Sequence, residues 1–184
     1  MITNYKVIGK AINPVRVVID RAAEFVKVPT SCFGLIVDQE GRVGLYFGAT
    51  IEARQAVANL SGQRHIFYMD KTFDRVLSIM PEMYDDLWTA AKGMYKLEPV
   101  LADGGEIVIY APHIYEVSYT HGKLIDEIGY HCRDYYLAQW DRFKKYPGGV
   151  LAHSTHLKEL GEYDSQTGIE TSRIRVTVAT GIST

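Results

Sequence analysis

"EMYDDLWTAAKGMYKLEPVLADGGEIVIYAPH", residues 82–113, is the stretch whose reading decides the fold. It passes from a polar loop into a helical pattern, through a glycine turn, and out into an apolar strand. Leu87, Ala90, Ala91, Met94, Leu97 and Leu101 recur at steps of three and four, which predicts one helix from about Asp86 with a single apolar face. Pro99 and the run Ala102-Asp103-Gly104-Gly105 are expected to close it. "EIVIYA" (106–111) is almost wholly apolar, the composition of a parallel strand covered on both faces. A nucleotide-type unit of this kind carries a glycine-rich loop before its helix. Here that loop is Pro81-Glu82-Met83-Tyr84-Asp85-Asp86, with three carboxylates and no glycine. Asp85 and Asp86 suit a helix N-terminus but would repel a pyrophosphate, so a dinucleotide oxidoreductase is disfavoured.

The neighbouring segments extend the pattern. "RVLSIM" (75–80), "GVLA" (149–152) and "RIRVTVAT" (173–180) read as further strands, and 123–143 as one or two helices with Gly129 as a break. The alternation predicts an α/β fold with a Rossmann-like, mostly parallel sheet and flanking helices over residues 73–184. Residues 1–72 read as an N-terminal helix and β-hairpin lobe. Asn13-Pro14 starts a helix as N-cap and first residue. "CFGLIV" (32–37) and "VGLYFG" (43–48) flank a five-residue connection and form the hairpin, and a helix over Ile51–Leu60 stops at Ser61-Gly62.

The whole chain sets broad limits. It has 184 residues, a formal net charge of -2 and two cysteines, Cys32 and Cys132, too few and too far apart for a disulfide framework. The charge gives no basic surface for nucleic acid. The sequence has no apolar run of bilayer-spanning length and no secretory pattern in its first twenty residues, so a cytoplasmic protein is expected. Its C-terminus stops just after a strand-like run, as expected of a piece of something longer.

Ligands of an open parallel sheet bind beyond the carboxyl ends of its strands. On this reading those ends deliver Glu82, Tyr84, Asp85 and Asp86, then His113, Tyr115, Tyr119 and His121, and then His153, Ser154, Thr155 and His156. A cleft of histidine, tyrosine and carboxylate can hold and move protons near neutral pH. His153-x-x-His156 invites a metal, but on a strand that odd spacing points the two rings to opposite faces. The sharper pair is Trp88 and Lys92, four apart at the helix start, where an indole can wall a small substrate and a lysine can bind its carboxylate. The alternative is a lysine stem covering a surface tryptophan.

The run "MYDDLWTAAKGMYKLEPVLADGGEIVIYAP", followed by "DEIGYH" and "VLAHSTH", resembles the C-terminal domain of the nickel-dependent lactate racemase family, and the lead-in from Asn13-Pro14 through the hairpin resembles its inter-domain region. That family interconverts 2-hydroxy acids with a nickel-pincer nucleotide and a histidine acid–base pair. The cofactor and that pair belong to an N-terminal domain that is absent from this sequence. The resemblance implies that this chain supplies the substrate-facing wall and is inactive alone. Its partners would be a 2-hydroxy acid and the cofactor-binding domain, with homo-oligomerisation left open. Lys92 matches the family lysine that faces substrate. Trp88 and Thr89 stand where the lactate enzymes carry a tyrosine and a glutamine, which opens the pocket to another 2-hydroxy acid or a sugar acid. Tyr84, His113, His131 and His153 are cleft-lining candidates. Two other readings stay open: a self-contained hydrolase or lyase using the histidine cleft, and a binding module with Tyr135, Tyr136 and Trp140 as its surface.

Overall fold

A computed structural model describes residues 6–158 and 160–183. The chain divides into two compact units, residues 6–69 and residues 70–183.

In the first unit, helix α1 (Pro14–Ala23) starts where Asn13 accepts a hydrogen bond from the Arg16 N–H, satisfying a donor that the helix cannot. Strands β1 (Ser31–Asp38) and β2 (Gly41–Ala49) pair antiparallel, with only Gln39 and Glu40 between them. Both strands therefore run further into the expected five-residue connection than their apolar stretches suggest. Helix α2 (Thr50–His65) packs on the hairpin and passes straight through Ser61-Gly62, so the expected stop is not used. The close packing depends on two glycines. A Cβ on Gly34 would lie 2.0 Å from Val57 Cγ2, and one on Gly44 would lie 2.5 Å from Leu60 Cδ2. Arg54 of α2 pairs with Asp20 of α1 at 3.0 Å, tying the two helices together. The hairpin face away from α2 leaves Phe33, Leu35, Val37, Leu45 and Phe47 exposed.

The second unit is a Rossmann-like α/β arrangement. Its sheet holds β3 (Phe73–Ile79), β4 (Leu101–Ala111) and β7 (Arg175–Thr180) in the order β3-β4-β7, all parallel. Between β3 and β4 the expected single helix is broken into two one-turn helices, α3 (Leu87–Ala90) and α4 (Lys92–Tyr95), and a 3-10 turn at Glu98–Val100. The glycine run lies inside β4 as a bulge. Register jumps from Phe73↔Leu101 to Arg75↔Glu106, and Gly104 takes a φ of +78° that other residues avoid. Arg173 holds this bulge from the far side, donating to the carbonyls of Glu98 and Leu101 and to Asp103.

After β4 come α5 (Gly122–Ile128), α6 (Arg133–Ala138) and α7 (Trp140–Phe143), with the expected break at Gly129. The segment read as the strand "GVLA" is instead helix α8 (Gly148–His153). A three-residue apolar run after two glycines carries no period that separates strand from helix. The hairpin β5 (Gly161–Asp164) and β6 (Ile169–Ser172) completes the unit and has no counterpart in the sequence reading.

Leu87, Ala90, Ala91 and Met94 pack on Ile107, Ile109, Ala111 and Ile114, forming the core under one face of the sheet. Each large apolar side chain buried there contributes about 2 kcal/mol. A second cluster joins Ile125, Ile128, Tyr136, Phe143, Val150 and Leu151. The expectation that β4 is covered on both faces fails. On the other face Leu77, Ile79 and Tyr110 are exposed, and Glu106 sits between Arg75 and Arg175. Those two guanidiniums, with the Thr177 hydroxyl, hold the Glu106 carboxyl at about 2, well below its usual range. No helix among the described residues is long and apolar enough to cross a membrane.

Candidate functional site

The loop after β3 sets the site, and its backbone explains the acidic sequence. Four consecutive amides at the start of α3 are already bonded within the chain. Leu87 N–H donates to Glu116 O and Trp88 N–H to Val117 O, each at 3.0 Å. Thr89 N–H donates to Asp86 Oδ1 at 2.9 Å and Ala90 N–H to Asp86 O at 3.1 Å. A phosphate at a helix N-terminus needs such donors free. Asp86 is thus a buried N-cap, and the Glu116–Val117 loop closes what remains of the doorway.

Two groups of side chains stand near the carboxyl ends of β3 and β4. In the first, the Lys92 ammonium lies 5.1 Å from the centre of the Tyr84 ring, a cation–π distance. His113 donates from Nε2 to the Tyr84 carbonyl at 3.0 Å, stitching the loop after β3 to the loop after β4. Lys92 is half-buried at the first position of α4.

The second group surrounds Trp88. Its indole stacks on His153 at 3.6 Å between ring centres with 15° between planes, and His121 tilts against it at 4.8 Å. The Tyr130 hydroxyl lies 3.2 Å from His153 Nε2. His156 meets His153 edge-on at 4.8 Å and Tyr95 at the same distance. The sequence reading that sends His153 and His156 to opposite faces is overturned, because His153 ends α8 and the turn after it, in which the His156 N–H donates to the His153 carbonyl at 2.8 Å, brings the two rings together. Burial, with His156 adding like charge, pushes His153 down to about 3, and burial pushes His156 down to about 4. Both rings are therefore neutral at physiological pH. Burial also raises the Tyr130 hydroxyl well above its ordinary value, which keeps it protonated and able to donate to an unprotonated Nε2.

Thr89 is held by Asp86, since its hydroxyl donates to the Asp86 carboxylate at 2.8 Å and lies 3.0 Å from the Asp86 carbonyl. His131 stands apart from the Trp88 group. Its Nδ1 is 2.6 Å from Glu170 Oε2 on β6, its ring stacks on Tyr135 at 3.7 Å, and the other Glu170 oxygen accepts the Cys132 N–H. Burial would raise Glu170, but these donors outweigh it and lower the carboxyl. Tyr136, considered above as partner surface, is fully buried and donates its hydroxyl to the Gly129 carbonyl. A cleft of about 740 Å³ lies beside the loop after β4, lined by Tyr115, Ser118, Tyr119, Lys123, Asp126 and Ile182 among others.

The contribution of Tyr130 escapes a reading by strand ends, because it follows a helix and not a strand. The three-residue spacing of His153 and His156 was the available signal for their contact, and it pointed the right way only once that segment was a helix end followed by a turn and not a strand. Among the described residues, no three histidine, cysteine, aspartate or glutamate side chains converge as metal ligands. With its amides engaged, α3 offers no free donor to a nucleotide phosphate, and the resemblance places the nickel nucleotide on the other domain.

No family model matches the chain, and no curated protein matches it. Among solved structures it is similar to a protein from Thermotoga maritima determined as a structural-genomics target, at 34% identity with a TM-score of 0.85. The match covers 98% of this chain and 46% of that one, so the chain spans about half the length of the solved protein.

Proposed function

We propose that this chain is the substrate-facing domain of a 2-hydroxy acid racemase or epimerase, acting with a separate domain that carries a nickel-pincer nucleotide. The observation that carries the reading is the pairing of a half-buried lysine with a helix N-terminus whose amides are all engaged. With those donors used internally, an anionic ligand beyond the ends of β3 and β4 has a side chain to bind it, Lys92, and no free amides at α3. The resemblance through residues 83–112 supports the same assignment.

On this reading Lys92 binds the substrate carboxylate, a charge-assisted contact that takes up no proton from the reaction. Tyr84 lies against the ammonium and limits its position. Trp88 forms an apolar wall. Thr89, committed to Asp86, fixes the turn that aims both. The hydride acceptor and the proton-transfer groups belong to the other domain, when its nickel cofactor is bound. The neutral His153 and His156 take no proton-transfer role here.

The test is binding of a panel of 2-hydroxy acids followed by chemical-shift perturbation, with and without a separately expressed cofactor-bearing domain. Shifts centred on Trp88 and Lys92 that strengthen with the partner are expected. Lys92→Ala should weaken binding by roughly 10- to 100-fold, the scale of one charge-assisted contact. Unchanged affinity in that variant would remove Lys92 from the site.

A further inference from the structure

The position of Trp88 needs an explanation that its own helix cannot give. α3 is a single turn, and Trp88 is only partly buried, against the second core cluster. Its backbone is held by the bond to Val117 O, but a partly buried indole on a short helix keeps several rotamers open unless something blocks the others. His153 is only 3% exposed, and it presents its ring face to the indole at 3.6 Å. That ring is itself held from two other directions. Tyr130 reaches Nε2 at 3.2 Å, and His156 lies edge-on at 4.8 Å. A leucine or phenylalanine would fill the volume, but neither could take an orienting hydrogen bond from Tyr130. An imidazole offers both a flat face and a lone pair.

We infer that His153, oriented by Tyr130, is the positioning residue that locks the Trp88 indole in one rotamer and so sets which 2-hydroxy acids the wall admits. This rests on the reading of Trp88 as a substrate wall. A locked indole is a flat, apolar surface that cannot yield to a longer chain, so it discriminates between a methyl substituent and an extended hydroxylated one. A freed indole swings aside and discriminates less. His153 touches no reacting atom in this scheme and acts only through Trp88.

The test uses the full chain in a Trp140→Phe background, which leaves Trp88 as its one tryptophan; Trp140 is a half-exposed residue outside the site. Iodide quenching and the indole N–H resonance report the ring's mobility. Affinities for sodium lactate and sodium gluconate, measured with the cofactor-bearing domain present, report selection. His153→Ala should raise quenching about two-fold, split the indole resonance, and move the ratio of the two affinities at least three-fold toward unity. His153→Phe, which keeps the stack, should restore most of the rigidity. Tyr130→Phe should fall between, and these two variants carry the test if His153→Ala does not fold. A single, equally protected indole environment in every variant would overturn the positioning role. A loosened indole with an unchanged affinity ratio would overturn the selective one. If the wild-type chain binds neither acid, the substrate reading has failed and selection with it, while the quenching result still judges whether His153 holds the ring.

Discussion

Acidification should destabilise the second unit well before its lowered carboxylates, Glu106 and Glu170, protonate, and the Trp88 cluster supplies the reason. His153 titrates at about 3 and His156 at about 4 in the folded chain, against about 6.5 when unfolded. The native state therefore binds fewer protons than the unfolded state throughout that interval. Stability is at its full value above about pH 7 and falls as the pH drops through 6.5 toward 4 and then 3. At about pH 5 each unfolded histidine is largely charged while its native counterpart is not, which costs about 2 kcal/mol per group, or about 4 kcal/mol together. That is a large part of the 5–15 kcal/mol typical of a domain. Carboxylates do not mimic the effect in this window. Glu106, held at about 2, and the lowered Glu170 lose their contribution only at more acid pH. Glu98, raised by burial, works in the opposite sense, because the native state takes up its proton first. Urea unfolding at about pH 7.5 and about pH 5, followed by the fluorescence of Trp88 and Trp140, reads this unit directly, since both tryptophans lie in it. Replacing His153 and His156 together with phenylalanine should abolish most of the slope. A wild-type loss below about 1 kcal/mol, or an equal loss in the double variant, would refute the reasoning.

Two further predictions concern how the site is held in place. Gly93→Ala should cost about 1–3 kcal/mol in urea unfolding, because a Cβ there would lie 2.7 Å from Ser78 Oγ and 2.9 Å from Met80 Sδ. The same change at Gly148, with nothing within 4 Å of its Cβ, should cost much less. Asp86→Ala removes the α3 cap and leaves the Thr89 amide without its partner, so a loss of about 1 kcal/mol is expected. It should also speed amide exchange at Thr89 more than at Ile109, and equal rates at the two would count against the cap.

The sequence alone determined those features whose signals are local. Asn13-Pro14 marks a helix start because a side-chain oxygen and a ring-fixed φ act within one turn. The hairpin at 31–49 follows from two β-rich runs separated by a glycine-containing turn. The parallel α/β character of residues 73–184 follows from an apolar strand on each side of a helical period, and the acidic loop before α3 already argues against a phosphate site. Tertiary structure decided the rest. The apolar spacing from Leu87 gives helical turns as far as Tyr95, but Gly93 lies against Ser78 and Met80, Arg173 holds the following segment, and Leu101 opens a bulged strand. "GVLA" is too short for its pattern to choose between strand and helix, and its packing on Phe143 and Tyr136 accompanies the helical choice. The contact between Trp88 and His153 joins residues 65 positions apart. No local rule encodes such a contact, because it exists only after the two core clusters have brought α3 and α8 together.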